Sequence, residues 1–134
     1  VYVGLALALL MGFAALGTSA DKEKDPTIKE IMTKAHKGGD SLIEKLGKEL
    51  KADEPKWDDI QKQSKELVDL GTALGKNKPP QGGQESWDKL TKKYLDEAKV
   101  LDEAAKKKNK TATADAQMTL KTYCADCHKV HKPK

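Results

Sequence analysis

Apolar side chains recur at every third or fourth position in four separate stretches of this chain, and almost nowhere do they alternate in the period of two that a strand requires. Each such stretch is a helix with one face that must be covered. Helices joined by mostly short connections cover one another most simply by running up, down, up and down. The expected fold is therefore all-α, an antiparallel four-helix bundle.

The first stretch has Asp25 as N-cap and Pro26 at the first helical position, followed by Ile28, Ile31, Met32, Ala35, Leu42, Ile43, Leu46 and Leu50 on one face. Its stripe stays in register across Gly38-Gly39, which predicts one long helix with at most a bend there, at a cost of about 1 kcal/mol per glycine relative to alanine. A second helix should start near Asp53-Glu54-Pro55 and carry Trp57, Ile60, Ser64, Leu67, Val68 and Leu74 as far as Gly75. Two prolines and two glycines make 76–83 the longest loop. Ser86 is the expected cap of a third helix bearing Trp87, Leu90, Tyr94, Ala98, Leu101 and Ala105. The last helix should begin near Thr111 or Thr113, align Ala116, Gln117, Leu120, Cys124, Cys127 and His131, and stop before Pro133.

From Val1 to Ala20 there is no charged residue, whereas charges recur every few positions from Asp21 onward. Leu5 to Leu16 has the length of a signal-peptide core, and Thr18-Ser19-Ala20 offers the small residues that a signal peptidase requires. Residues 1–20 therefore read as a signal peptide, with an uncleaved membrane anchor as the alternative, and 21–134 as one domain. In either case the domain is expected outside the cytoplasmic membrane, periplasmic or otherwise exported. A domain of this size has a single modest core, to which a buried cofactor would contribute much. Its net charge of +4 comes from 25 basic and 21 acidic side chains. Such a mixture keeps a surface soluble and is not the footprint of a nucleic-acid partner.

The chemistry concentrates at the C-terminus. Cys124-Ala125-Asp126-Cys127-His128 is a C-x-x-C-H sequence, the attachment signal for c-type haem. On a helix, residues three apart share a face, so both thiols can form thioether bonds along one edge of a porphyrin while His128 reaches the iron from the same side. A dithiol redox pair would sit at the start of a helix after a strand, and this chain offers no strand. A zinc site would have to gather Cys124, Cys127, His128 and His131 from two helical turns, which does not surround a tetrahedral ion. One covalent haem c is the reading the motif supports.

Four residues could face the other side of the iron. Met118 lies ten positions before His128 on the same helix, about 15 Å along its axis, and cannot reach. His131 shares that helix and should border the haem edge or solvent. Met32 stands level with His128 if the first and last helices run antiparallel, and it is the favoured ligand. His36, one turn further on, is the alternative, and an open site is the third.

With C-x-x-C-H on the fourth helix of an exported four-helix chain, the sequence resembles the class II c-type cytochromes, the cytochrome c-prime family with its methionine-ligated low-spin relatives. The resemblance spans Asp25 to Lys132. It implies thioethers at Cys124 and Cys127, a proximal iron ligand at His128, and a sixth ligand at Met32 from the Ile31-Met32 pair. Lys129 and Lys132 are compatible with basic residues that the family often has after the haem histidine. Gly38-Gly39 and His36 depart from the pattern. The expected role is an electron carrier that serves redox partner proteins, and because the chain offers no Ser-His-Asp set, phosphate-binding glycine loop or positioned carboxylate pair, it is not expected to be an enzyme. Its alternative is a cytochrome that binds nitric oxide or carbon monoxide at an open distal site. Family members are often dimers through their first two helices, so a homodimer is a further expectation.

Overall fold

The computed structural model describes residues 24–134, so the leader expected at 1–20 lies outside the described residues. The described chain is all-helical: α1 Ile28–Ala35, α2 Leu42–Glu49, α3 Trp57–Lys76, α4 Gln84–Lys106 and α5 Lys110–His131. None of these helices is long and apolar enough to cross a membrane.

The stripes decide the packing. Ile60, Leu67 and Leu74 of α3, Trp87, Tyr94 and Leu101 of α4, and Ala116 and Leu120 of α5 are all buried in one cluster. Here α4 lies along both α3 and α5, while α1 and α2 cover α3. Two polar ties enter this core. Ser64 Oγ donates to Asp102 Oδ1 at 2.8 Å, and Gln117 Nε2 donates to the Ile43 carbonyl at 2.9 Å, which pins α5 to α2. Within α1 itself that second contact has no counterpart, and only its C-cap, His36, touches α5, with Nδ1 3.3 Å from Cys124 Sγ. Whereas α2 rests on α5, α1 does not, and the helices diverge at that end.

The long first helix is not continuous: it is two helices separated by His36–Ser41. The N–H groups of His36 and Lys37 both close on the Met32 carbonyl at 2.9 Å, ending α1. Gly38 then takes a φ of +82°, a left-handed conformation that costs residues with a Cβ about 1–2 kcal/mol. Its carbonyl accepts from Ser41 Oγ at 2.8 Å, which turns the chain into α2. The apolar register survives because this turn brings Leu42, Ile43 and Leu46 back onto the face that Ile31 and Ala35 already occupy. Periodicity alone therefore could not reveal the break.

Helix ends move for similar local reasons. Thr27, not Asp25, caps α1, in a capping box where Thr27 N donates to Glu30 Oε2 at 2.7 Å and Glu30 N to Thr27 Oγ1 at 3.3 Å. Asp25 instead pairs with Lys76 at 3.1 Å, and the Pro26 carbonyl accepts from Asn77 Nδ2 at 3.1 Å. Both ties fasten the start of α1 to the end of α3. Asn109 caps α5, accepting from Ala112 N at 3.1 Å, and α4 begins at Gln84, ahead of Ser86.

Gly38→Ala should lower stability by about 1–2 kcal/mol, because alanine is strained at that φ. Gly39→Ala, which would meet only the Lys48 Nζ at 3.9 Å, should stay within about 0.5 kcal/mol of unchanged. Denaturant midpoints of the two variants check this; equal losses would mean that the turn does not depend on Gly38.

Candidate functional site

Where α1 and α5 part, they leave a cavity of about 720 Å³. One wall is the last two turns of α5, with Cys124, Cys127 and His128. The facing wall is α1, with Ile28 and Met32. Leu90, Trp87 and Tyr94 of α4 and Leu74 of α3 close the inner end, and Pro80 closes one side. The sequence candidates Met32, His36, Cys124, Cys127 and His128 all line this single space. Met118 does not; it is 60% exposed on the surface of α5.

His131 lines the cavity without being available in it. It is buried, although expected at a haem edge or in solvent. Its Nδ1 lies 2.7 Å from the Gln81 carbonyl, which can only accept, so Nδ1 carries the proton. Nε2 then accepts from Ser86 Oγ at 3.1 Å. The ring stands edge-on to Trp87 at 5.2 Å between centroids, and Trp87 Nε1 donates to the Asn77 carbonyl at 2.7 Å. Gln81 Nε2 also reaches the Lys132 carbonyl at 2.6 Å. Together these bonds fasten loop 77–83 to the end of α5 beside Cys127 and His128. Ser86, expected as a helix cap, serves this lock instead. At Gly82 the chain has φ +80°, and a Cβ would come within 2.9 Å of His131 Nδ1. Only glycine fits there.

His36, the residue that ends α1, is engaged on both ring nitrogens. Nε2 is 2.7 Å from the Tyr94 hydroxyl and Nδ1 is 3.3 Å from Cys124 Sγ. Burial, followed by the nearby charges of His128 and Lys121, pushes its pKa down to about 4, so the imidazole is neutral at physiological pH. Burial pushes the Tyr94 hydroxyl up as well. Sequence reasoning placed Tyr94 on a core stripe and did not foresee this contact, because its partner lies 58 positions away.

The two cysteines are free thiols, both half-buried. Burial raises Cys124 to about 11 and also raises Cys127. Neither is an activated thiolate of the kind that exchanges disulfides. Among the described residues no group of three or more His, Cys, Asp and Glu side chains converges to hold an ion, which agrees with His131 being committed to Gln81 and Ser86.

The mouth of the cavity carries Lys29, Lys37 and Lys132 and no carboxylate. None of these lysines forms an ion pair among the described residues, whereas Lys129 pairs with Asp126 at 3.6 Å. The site thus combines an apolar interior, two thiols one turn apart, an exposed imidazole beside them, a facing thioether side chain and a basic rim. In comparisons with known proteins, no protein family, no curated protein and no solved structure matches the chain.

Gly82→Ala and His131→Leu should each cost about 2–3 kcal/mol, the first through strain and a clash, the second by orphaning a buried carbonyl and hydroxyl. Thermal melts check both. Because His36 is depressed from 6.5 to about 4 on folding, the unfolded chain binds the extra proton, so stability should be lost as pH falls from 6.5 through 4. His36→Leu should flatten that part of the pH profile, measured as denaturant midpoint against pH.

Proposed function

We propose that the chain is an exported monohaem c-type cytochrome that carries electrons, with haem c bonded to Cys124 and Cys127 and its iron held by His128 and Met32. The observation that carries this reading is the cavity itself, in which the C-x-x-C-H residues of one helix face Met32 of another across a largely apolar space. Pockets that take cofactor-sized ligands run to about 300–1,000 Å³, and the 720 Å³ here lies within that range. The residues present therefore fit the group. The haem supplies the ferric–ferrous couple.

The protein's own residues do the rest. Cys124 and Cys127 hold the group covalently and prevent its loss. His128, exposed on the α5 wall, is free to offer a ring nitrogen. On the facing wall Met32 is half-buried and packed against the core, whereas both nitrogens of His36 are occupied by Tyr94 and Cys124, so Met32 is the better sixth ligand. Histidine–methionine ligation raises the reduction potential. Trp87, Leu90 and Leu74 exclude water from the inner end. In this reading α1 and α2 form one arm of a four-helix bundle, broken at Gly38 so that its first half can stand off α5.

Visible spectra of the purified holoprotein, oxidised and reduced, with and without carbon monoxide, test this. We expect a low-spin spectrum with a methionine-to-iron charge-transfer band that is lost in Met32→Ala and unmoved by carbon monoxide in the wild type. A five-coordinate wild type that binds carbon monoxide would replace this reading with gas binding at an open distal site.

A further inference from the structure

The His36–Tyr94 pair is buried machinery that iron ligation leaves unused. Building on the haem reading above, we infer that His36 is a positioning residue for thioether formation at Cys124, with Tyr94 holding its imidazole in the required tautomer.

Three polar contacts run in series. The Tyr94 hydroxyl lies 2.7 Å from His36 Nε2, His36 Nδ1 lies 3.3 Å from Cys124 Sγ, and Cys124 Sγ lies 3.2 Å from the Leu120 carbonyl. One assignment of hydrogens satisfies every member. Tyr94 O–H donates to Nε2, Nδ1–H donates to the sulfur, and the thiol donates to Leu120. In the opposite tautomer Nε2–H donates to Tyr94, whose own buried O–H then has no acceptor among the described residues. Buried donors are rarely left so. The first arrangement holds, and it makes His36 a donor to sulfur.

That direction matters for attachment. When the Cys124 thiol adds across a vinyl double bond, the sulfur bonds to the carbon next to the porphyrin ring. The thiol hydrogen is taken up at the terminal carbon. No electron is gained or lost, and no co-reactant is consumed. Afterwards the sulfur can only accept, so its bond to Leu120 disappears, while Leu120 keeps the helical N–H of Cys124. The Nδ1–H contact alone persists from thiol to thioether. It therefore fixes the Cys124 rotamer on both sides of the reaction. Cys127 Sγ has no hydrogen-bonding partner among the described residues. The two cysteines are inequivalent, with Cys124 guided and Cys127 set only by packing.

The full chain, expressed with a haem-attachment system, tests this in wild type, His36→Leu and His36→Asn. Leucine fills the space without a donor, and the asparagine amide places an N–H near the Nδ1 position. After denaturation, iodoacetamide labels any thiol left unbonded, and peptide mass spectrometry assigns it. The pyridine haemochrome α-band independently moves to longer wavelength when one vinyl group remains. We expect no label in the wild type, label on Cys124 in at least half of the His36→Leu chains with Cys127 bonded, and at least half of that deficit recovered in His36→Asn. Complete bonding of both cysteines in His36→Leu, or equal loss at both, would overturn the inference while leaving the haem reading intact. A wild type without covalent haem would overturn the haem reading and this inference with it.

Discussion

The site depends on a mismatch between two halves of one arm. Gln117 draws α2 onto α5 through the Ile43 carbonyl, yet α1, six residues away in sequence from α2, stays off it. A continuous helix could not do both. The left-handed Gly38 uncouples the halves, so α2 packs as core while α1 is held by other means, through Pro26 to Asn77 and Asp25 to Lys76. The resulting space is largely apolar and opens at a lysine-lined mouth. In the proposed holoprotein the haem would lie between α1 and α5, which touch only at the C-cap of α1, where His36 meets Cys124.

The opposite side of the space is cross-tied where α1 is offset. His131 bonds to Gln81 and Ser86, Gln81 to Lys132, and Trp87 to Asn77, and the edge-on contact of Trp87 with His131 joins the two groups, coupling the end of α5, the start of α4 and the loop between α3 and α4. The bonds of His131 and Trp87 are part-buried, so each matters more through the cost of leaving its groups unpaired than through its net strength, whereas the bond from Gln81 to Lys132 is exposed. Their effect is to hold the helical turn bearing Cys127 and His128 against a fixed loop. A ligand attached to that turn would inherit its orientation.

Much of this fold is legible in the sequence because helical periodicity is a local signal. Ile60, Leu67 and Leu74, or Trp87, Tyr94 and Leu101, announce a buried face regardless of what covers it, and all of them are buried. The C-x-x-C-H residues and Met32 are likewise legible, since spacing and helix order bring them to one end. The break at Gly38 is not, because the turn restores the register and leaves the apolar pattern unbroken. Nor are the partners of the three histidines. Whether His36 meets a thiol, His131 a loop carbonyl, or His128 neither is decided by contacts across the chain, and nothing in the neighbouring residues distinguishes them.

Acid–base character ties the site to its proposed use. A dithiol that exchanges disulfides needs a thiolate near neutral pH, usually stabilised at a helix N-terminus or by a cation. Cys124 and Cys127 lie in the last turns of α5, where the helix dipole disfavours negative charge, and burial raises both thiols. The environment keeps them protonated and apolar, which would suit sulfurs that become thioethers in the proposed holoprotein, since thioethers carry no charge to bury. The same holds at His36, which burial keeps neutral, while at the rim Lys29, Lys37 and Lys132 are exposed. Charge is thus excluded from the inner cavity and gathered at its mouth. An iron centre placed there would change its charge in a low-dielectric interior, and a ring of cations around the opening would favour approach by an acidic partner over a basic one.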